Sequence, residues 1–180
     1  MLLNSKRSVL LVVDVQERLM PAIHDSARVA ANVGILLKAA RLIGIPVLAS
    51  EHYPKGLGPT VAAVRDLLPP DSVVEKISFS CAGEPSFMDR LERTGRRQIV
   101  LAGAESHVCV MQTALSLRAL DYEVALVGDA SSSRTAGNVA LAQARLRANG
   151  VEIVSTEMVA FEWLGRGDAP AFKAVLDLIK

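Results

Sequence analysis

The stretch that decides the fold is Val9-Leu10-Leu11-Val12-Val13-Asp14, an unbroken apolar run that ends in a carboxylate. Five apolar residues in succession, with no alternating polar side chains, are typical of a strand that is buried on both faces. Other short apolar runs follow along the chain. The predicted strands are Val9–Val13, Val47–Ser50, Ser72–Glu75, Gln98–Ala102, Glu123–Val127 and Val151–Val154.

Longer amphipathic stretches with helical spacing separate these strands. The predicted helices are Asp25–Leu42, Thr60–Leu68, Pro85–Arg93, Val110–Leu120, Thr135–Asn149 and, at the end of the chain, Asp168–Ile179. The alternation predicts an α/β protein, a three-layer sandwich in which helices cover both faces of a six-stranded, mainly parallel sheet. A chain of 180 residues fits one domain, so we expect a single domain over residues 1–180.

The composition excludes several classes of protein. With 51% hydrophobic residues the chain is too apolar to be disordered. Twenty basic residues balance 19 acidic ones, so the net charge of +1 predicts neither a nucleic-acid nor a membrane partner. No apolar run approaches the ~18 residues of a membrane span. Two cysteines and no export signal predict a cytoplasmic protein with reduced thiols.

Three reactive side chains follow predicted strands. Ligands of open parallel sheets bind at the carboxyl ends of the strands. Asp14 ends the first strand and is a candidate base, although a polar residue there also suits a capping role. Lys76 follows the third strand, where it either stabilises an anion or faces water. Cys109 lies between the fourth strand and a helix, as a reactive or a structural thiol.

The helix that follows Cys109 predicts thiolate character for its sulfur, because unpaired amides and the helix dipole favour negative charge. Cys81 has no comparable setting and is predicted to be inert. His107 lies two residues before Cys109, but a loop-to-helix junction rarely brings such close residues together as a Cys–His pair.

Other well-known sites are absent. The first turn has no Gly-x-Gly-x-x-Gly, and the chain has no Walker A loop and no Cys-x-x-Cys. The three histidines are scattered without metal-binding spacing, so we expect no metal and no cofactor.

Three segments, in order, resemble the isochorismatase-like cysteine hydrolases, a superfamily that includes nicotinamidases and N-carbamoylsarcosine amidases. These segments are Leu11–Gln16, Glu75–Lys76 and Gly103–Val110. A fourth segment, Glu51–Thr60, looks more specifically like the isochorismatase domain-containing subgroup. The resemblance implies the family's Rossmann-like sandwich.

The resemblance also implies roles for individual residues. Asp14 matches the general base, Lys76 the catalytic lysine and Cys109 the nucleophile. The family's cis peptide falls between Ala104 and Glu105, and the amides of Glu105 and Cys109 match the oxyanion hole.

The chain departs from the nicotinamidases. Those enzymes bind a metal through an Asp-x-His and a further histidine, whereas only His52 lies in the corresponding region here. The Ser106-His107 pair replaces a Thr-Asp that many members have, so the substrate does not transfer with the resemblance. Candidate residues for a substrate pocket are Gln16, His52, Tyr53 and Phe79.

The first functional hypothesis is therefore a cysteine-dependent hydrolase that cleaves a small amide or a related C–N bond of a small-molecule substrate. An isochorismatase, which hydrolyses a vinyl ether without a nucleophile, is the second, and a non-catalytic binding or scaffold protein is the third. The resemblance also implies a homo-oligomer, for which the aromatic segment Phe161–Leu164 is the candidate contact.

Overall fold

The computed structural model describes all 180 residues, and its centre is one sheet of six parallel strands. The strands are β1 (Ser8–Val13), β2 (Val47–His52), β3 (Val73–Lys76), β4 (Gln98–Ala104), β5 (Glu123–Ser132) and β6 (Glu152–Val154). Their order across the sheet is β3-β2-β1-β4-β5-β6. Connections from β1 to β3 run in one direction and those from β4 to β6 in the other, so the topological switch lies between β1 and β4.

Eight helices complete the chain. They are α1 (Ser26–Ile43), α2 (Pro54–Leu57), α3 (Ala62–Arg65), α4 (Pro85–Arg93), α5 (Met111–Ala119), α6 (Ala136–Ala148), α7 (Thr156–Leu164) and α8 (Phe172–Ile179). The predicted α/β class is thus confirmed, and every paired strand is parallel. None of the helices has both the length and the apolar character that crossing a membrane requires.

The period of two along each strand divides the apolar side chains between two cores. Leu10 and Val12 of β1 point into a core that α1, α7 and α8 cover. Val9 and Leu11 point into a second core beneath α4, α5 and α6. Because both faces of the sheet are covered, β1 is buried along its whole length, which is why it lacks the alternation of a half-exposed strand.

The sequence analysis missed α7, which begins with a side-chain cap: Ser155 Oγ accepts a hydrogen bond from the amide of Met158 at 3.2 Å. This helix also corrects the candidate oligomer contact Phe161–Leu164. Trp163 is only 2% exposed and belongs to the core, so it packs inside its own chain. Phe161 alone keeps substantial exposure.

Other boundaries also differ from the prediction. The helix predicted over Thr60–Leu68 shortens to α3, and the one predicted over Asp168–Ile179 begins only at Phe172. The fifth strand continues past Val127 to Ser132, because its far half pairs with the end of β4 after a shift in register.

Gly103 allows the ends of β1 and β4 to approach each other closely. Its φ of +119° lies in a region that side chains other than glycine rarely adopt. A Cβ atom on this residue would lie 2.0 Å from the carbonyl oxygen of Val13, which is backbone and cannot move aside. The centre of the sheet therefore requires glycine at this position.

We expect Gly103→Ala to lower the free energy of unfolding by more than about 3 kcal/mol, because backbone strain and a backbone clash act together. Gly44, which ends α1 at a φ of +81° with no atom near its missing Cβ, is the matched control. Gly44→Ala should cost only about 1–2 kcal/mol, from strain alone. Urea unfolding of both variants measures the difference, and equal losses would contradict the clash.

Candidate active site

The three predicted catalytic residues lie at the carboxyl edge of the sheet. Asp14 follows β1, Lys76 ends β3 and Cys109 follows β4. Since all strands are parallel, their carboxyl ends meet at one edge, next to the topological switch. The three residues are almost closed to solvent, with exposed fractions of 0%, 3% and 7% respectively.

Asp14 is held by one partner from β2 and one from β3. The residue adopts a left-handed backbone conformation (φ 51°), which aspartate tolerates better than most residues. The hydroxyl of Ser50, near the end of β2, donates a hydrogen bond of 2.7 Å to Oδ1. The ammonium of Lys76 forms an ion pair of 2.7 Å with Oδ2. The position of each carboxylate oxygen is thus determined by a separate contact.

Ser50 was not among the predicted site residues. Its hydroxyl is buried, and its bond to Asp14 spans 36 residues of sequence. The only sequence signal is a serine within a predicted strand, which local pattern does not connect with a carboxylate.

Lys76 remains charged although it is buried. Burial by itself lowers the pKa of the Lys76 ammonium, but the charge and hydrogen bond of Asp14 outweigh burial and the pKa lies above its ordinary value. The ammonium also donates a hydrogen bond of 3.2 Å to the carbonyl oxygen of Ser78. A solvated strand-end lysine is therefore excluded.

The thiol of Cys109 lies beside this ion pair. Burial, and then the negative charge of Asp14, raise the pKa of Cys109 to about 12, while Lys76 acts in the opposite direction. The two charged side chains thus act on the thiol in opposite directions. The structure thus brings Asp14, Lys76 and Cys109 together.

The raised pKa of the Cys109 thiol runs against the thiolate character expected from the following helix, because burial and the charge of Asp14 oppose ionisation. The chain after β4 does not enter a regular α-helix directly. Residues Ser106–Val110 form a π-helical turn, in which the amide of Val110 donates to the carbonyl of Glu105 at 3.2 Å. The peptide bond between Ala104 and Glu105 is cis.

Cys81 lies deeper than Cys109. It has no exposed surface, and its amide donates a hydrogen bond of 2.9 Å to the hydroxyl of Thr113. Burial, with a smaller contribution from Asp14, raises the pKa of the Cys81 thiol. The sequence did not indicate that the negative charge of Asp14 also acts on this second thiol.

The four predicted pocket residues separate into two kinds. Gln16 is fully buried, and its side chain is used by backbone groups. It accepts from the amide of His52 at 2.8 Å, and donates to the carbonyls of His52 and Gly58 at 2.9 and 2.7 Å. The Gln16 side chain thus fixes the loop that follows β2, and its place in a substrate pocket stays a prediction.

The other three predicted pocket residues lie at or just after the ends of β2 and β3. The rings of His52 and Phe79 lie 5.4 Å apart. Tyr53 and Phe79 are each 51% exposed. Burial, together with the charge of Lys76, lowers the pKa of His52, so its ring is neutral at pH 7.

His107 does not form a Cys–His pair. Its Nδ1 lies 2.9 Å from the hydroxyl of Ser133, and its Nε2 lies 3.4 Å from the side-chain amide of Asn138. Ser106 next to it is fully buried. Glu105 pairs with Arg134 at 2.9 Å on the outside of the same turn.

No group of three or more His, Cys, Asp or Glu side chains is arranged so that it could hold a metal ion. The site consists of one ion pair and one thiol, with the paired rings of His52 and Phe79 nearby.

A family model, curated relatives and solved structures all match this chain. Residues 8–158 match the model of the Isochorismatase domain. Isochorismatase domain-containing protein 1 of Danio rerio is 39% identical over 178 residues, which are 99% of this chain but only 62% of that protein. Isochorismatase domain-containing protein 2 of the same organism is 38% identical over 179 residues, covering 98% of this chain and 89% of the relative.

Among solved structures, the MAR1 ribonuclease of Caenorhabditis elegans superposes with a TM-score of 0.94 at 32% identity, over 99% of this chain and 92% of that one. Residues 8–158, which match the family model, span β1 to β6 and include Asp14, Lys76 and Cys109. This chain belongs to the isochorismatase domain family.

Proposed function

We propose that the protein is a cysteine-dependent hydrolase that cleaves a small amide or a related C–N bond through a covalent acyl-enzyme. The observation that carries this proposal is the buried Asp14–Lys76 ion pair, whose two charges both act on the Cys109 thiol. A nucleophile, a base and a group that orients the base are the parts that such catalysis needs.

In the first step, the sulfur of Cys109 forms a bond to the carbonyl carbon and the thiol proton moves to Asp14. The raised pKa of Cys109 fits this step, because the proton leaves only as the new bond takes up the sulfur's electron pair. The charge that develops on the carbonyl oxygen is received by the backbone amides of Glu105 and Cys109, which we propose as the oxyanion hole.

In the second step, the C–N bond breaks and the departing nitrogen takes the proton from Asp14. The products are a free amine and a thioester on Cys109. A water molecule then attacks the thioester and gives a proton to Asp14, the C–S bond breaks, and Asp14 returns the proton to the sulfur. Lys76 keeps Asp14 oriented and favours its charged form throughout.

The burial of the site limits the substrate. Since Cys109 is only 7% exposed, only a small group reaches its sulfur. The charges of Asp14 and Lys76 cancel, and the paired rings of His52 and Phe79 are neutral or apolar. These features support a small molecule as the substrate, and the balanced charge of the chain favours it over nucleic acid, including the RNA that the name of the C. elegans neighbour suggests.

Isochorismate cleavage is the alternative within the family. That reaction protonates a vinyl ether and needs no nucleophile, so a thiol held against the ion pair would have no part in it. A non-catalytic scaffold would likewise have no use for a buried ion pair, which costs several kcal/mol per ion in desolvation.

We also propose a homo-oligomer and a cytoplasmic location. Large apolar side chains lie exposed on several elements, among them Leu2 (79%), Leu141 (72%) and Ile77 (69%). Both cysteines are free thiols, which suits a reducing compartment. Sedimentation velocity at micromolar concentration should give a mass of at least twice 19.2 kDa. A monomer would contradict the oligomer.

Cys109→Ala should abolish hydrolysis in a panel of small amides, and Cys109→Ser should do the same because a hydroxyl is far less acidic than a thiol. Iodoacetamide should label Cys109 faster than the fully buried Cys81 in the native protein. Because the pKa of Cys109 is about 12, its labelling rate should still rise above about pH 10, where an ordinary thiol with a pKa near 8.5 has reached its plateau. Mass spectrometry of labelled peptides measures both rates.

Full activity of Cys109→Ala on the true substrate would overturn the covalent mechanism and favour the vinyl-ether reaction. A labelling plateau below pH 9, roughly the ordinary range of a thiol, would contradict the protonated resting state.

Lys76→Met should reduce turnover by about 100-fold or more, since the base loses the group that orients it. It should also lower the free energy of unfolding by about 3 kcal/mol, because Asp14 becomes an unpaired buried charge. Lys38→Met, at an exposed position of α1, is the control.

The double variant Asp14→Asn/Lys76→Met separates the two effects. It should recover most of the stability, because no charge remains buried, but none of the activity. Wild-type turnover in Lys76→Met would remove the lysine from the mechanism.

A further inference from the structure

The backbones of Lys76 and Asp14 are far apart on the sheet. Lys76 is the last residue of β3, which is the edge strand of the sheet, while Asp14 follows β1, two strands away. Strands in a sheet are spaced by about 4.8 Å, so the two backbones are separated by roughly 10 Å. Only an extended lysine side chain spans this gap, and such a chain has four rotatable bonds that must be fixed.

The segment that follows β3 supplies a second contact for the ammonium. The carbonyl oxygen of Ser78 accepts a hydrogen bond of 3.2 Å from Lys76 Nζ. The ammonium therefore lies between Ser78 on one side and Asp14 on the other. The position of the Ser78 carbonyl then decides where the ammonium lies.

Glu84 holds the two peptide units directly before the Ser78 carbonyl. One of its carboxylate oxygens, Oε1, accepts hydrogen bonds from the amides of Ile77 and Ser78 at 3.0 and 2.9 Å. These bonds, that of Ser78 before that of Ile77, lower the pKa of Glu84, and Lys76 adds a smaller effect in the same direction. Ser78 thus donates its N–H to Glu84 and offers its carbonyl to Lys76.

The Glu84 side chain is not used by the helix that it precedes. Glu84 stands at the N-cap position of α4, but it makes no side-chain hydrogen bond to the first turn. Its carboxylate turns back to the two amides after β3 instead. Helix capping therefore does not account for this contact.

We propose that Glu84 is a positioning residue for the active site: by holding the Ile77–Ser78 amides, it places the Ser78 carbonyl so that Lys76 stays on Asp14. Its negative charge also supports the charged form of Lys76. This inference rests on the proposed function, in which Lys76 orients the base, but it makes a separate statement about a residue outside the catalytic set.

Glu84→Ala tests the proposal. We expect turnover to fall about tenfold with little change in KM, which corresponds to the ~1.4 kcal/mol of one lost hydrogen-bonded contact. Iodoacetamide labelling of Cys109 should slow as well, because a loosely held Lys76 no longer favours the thiolate, and the acid side of the pH–rate profile should move toward neutrality. Glu92→Ala, an exposed glutamate of the same helix, is the matched control.

Glu84→Gln keeps an oxygen acceptor but loses the charge, so its turnover and labelling rate should lie between those of wild type and Glu84→Ala. Introducing Glu84→Ala into the Lys76→Met variant should have no further effect on labelling, because Glu84 acts through Lys76.

The proposal is overturned if Glu84→Ala keeps the turnover, labelling and pH profile of Glu92→Ala, or if it loses thermal stability alone. Should Glu84→Ala fail to fold, Glu84→Gln decides, and a wild-type rate and profile in that variant would overturn the role. The hydrolase proposal is tested separately, since it fails when Cys109→Ala remains active, whereas labelling reports on the thiol without any substrate.

Discussion

The buried ion pair between Asp14 and Lys76 is the constraint on which the rest of the site depends. Two charges removed from water stabilise each other only when their geometry and remaining hydrogen bonds are satisfied. The contact distance is 2.7 Å, and each partner has one further polar contact, Ser50 for the carboxylate and Ser78 for the ammonium. The strand order places β2 between the two partners, which is why the residue that steadies Asp14 comes from that strand.

The same pair determines the state of the sulfur. A carboxylate next to Cys109 opposes ionisation of the thiol and the ammonium favours it, and burial adds to the first effect. These effects together keep the proton on the thiol at rest. In the proposed mechanism, the thiol gives up its proton only as a substrate carbon accepts its electrons.

The sequence predicted what depends on local pattern and strand ends. Apolar runs such as Val9–Val13 predicted the strands. The carboxyl ends of these strands then indicated Asp14, Lys76 and Cys109 as candidate site residues. Contacts between distant segments were out of reach: nothing in the local sequence links Ser50 to Asp14, or indicates that the Gln16 side chain is used by the backbone of His52. The local sequence also did not predict the direction in which the pKa of Cys109 shifts, because burial and the charge of Asp14 depend on the tertiary structure.

Packing at the centre of the sheet and the chemistry at its edge share one close contact. Because Gly103 has no Cβ, the end of β4 lies against the carbonyl of Val13, the residue directly before Asp14. A side chain at that position would push apart the two strands that precede Asp14 and Cys109. The backbones of β1 and β4 are therefore held together by contact within the core, whereas Lys76 lies on the edge strand β3, which pairs with a neighbour on one side only. That asymmetry explains why additional polar contacts to Ser78 and Glu84 are concentrated around the lysine.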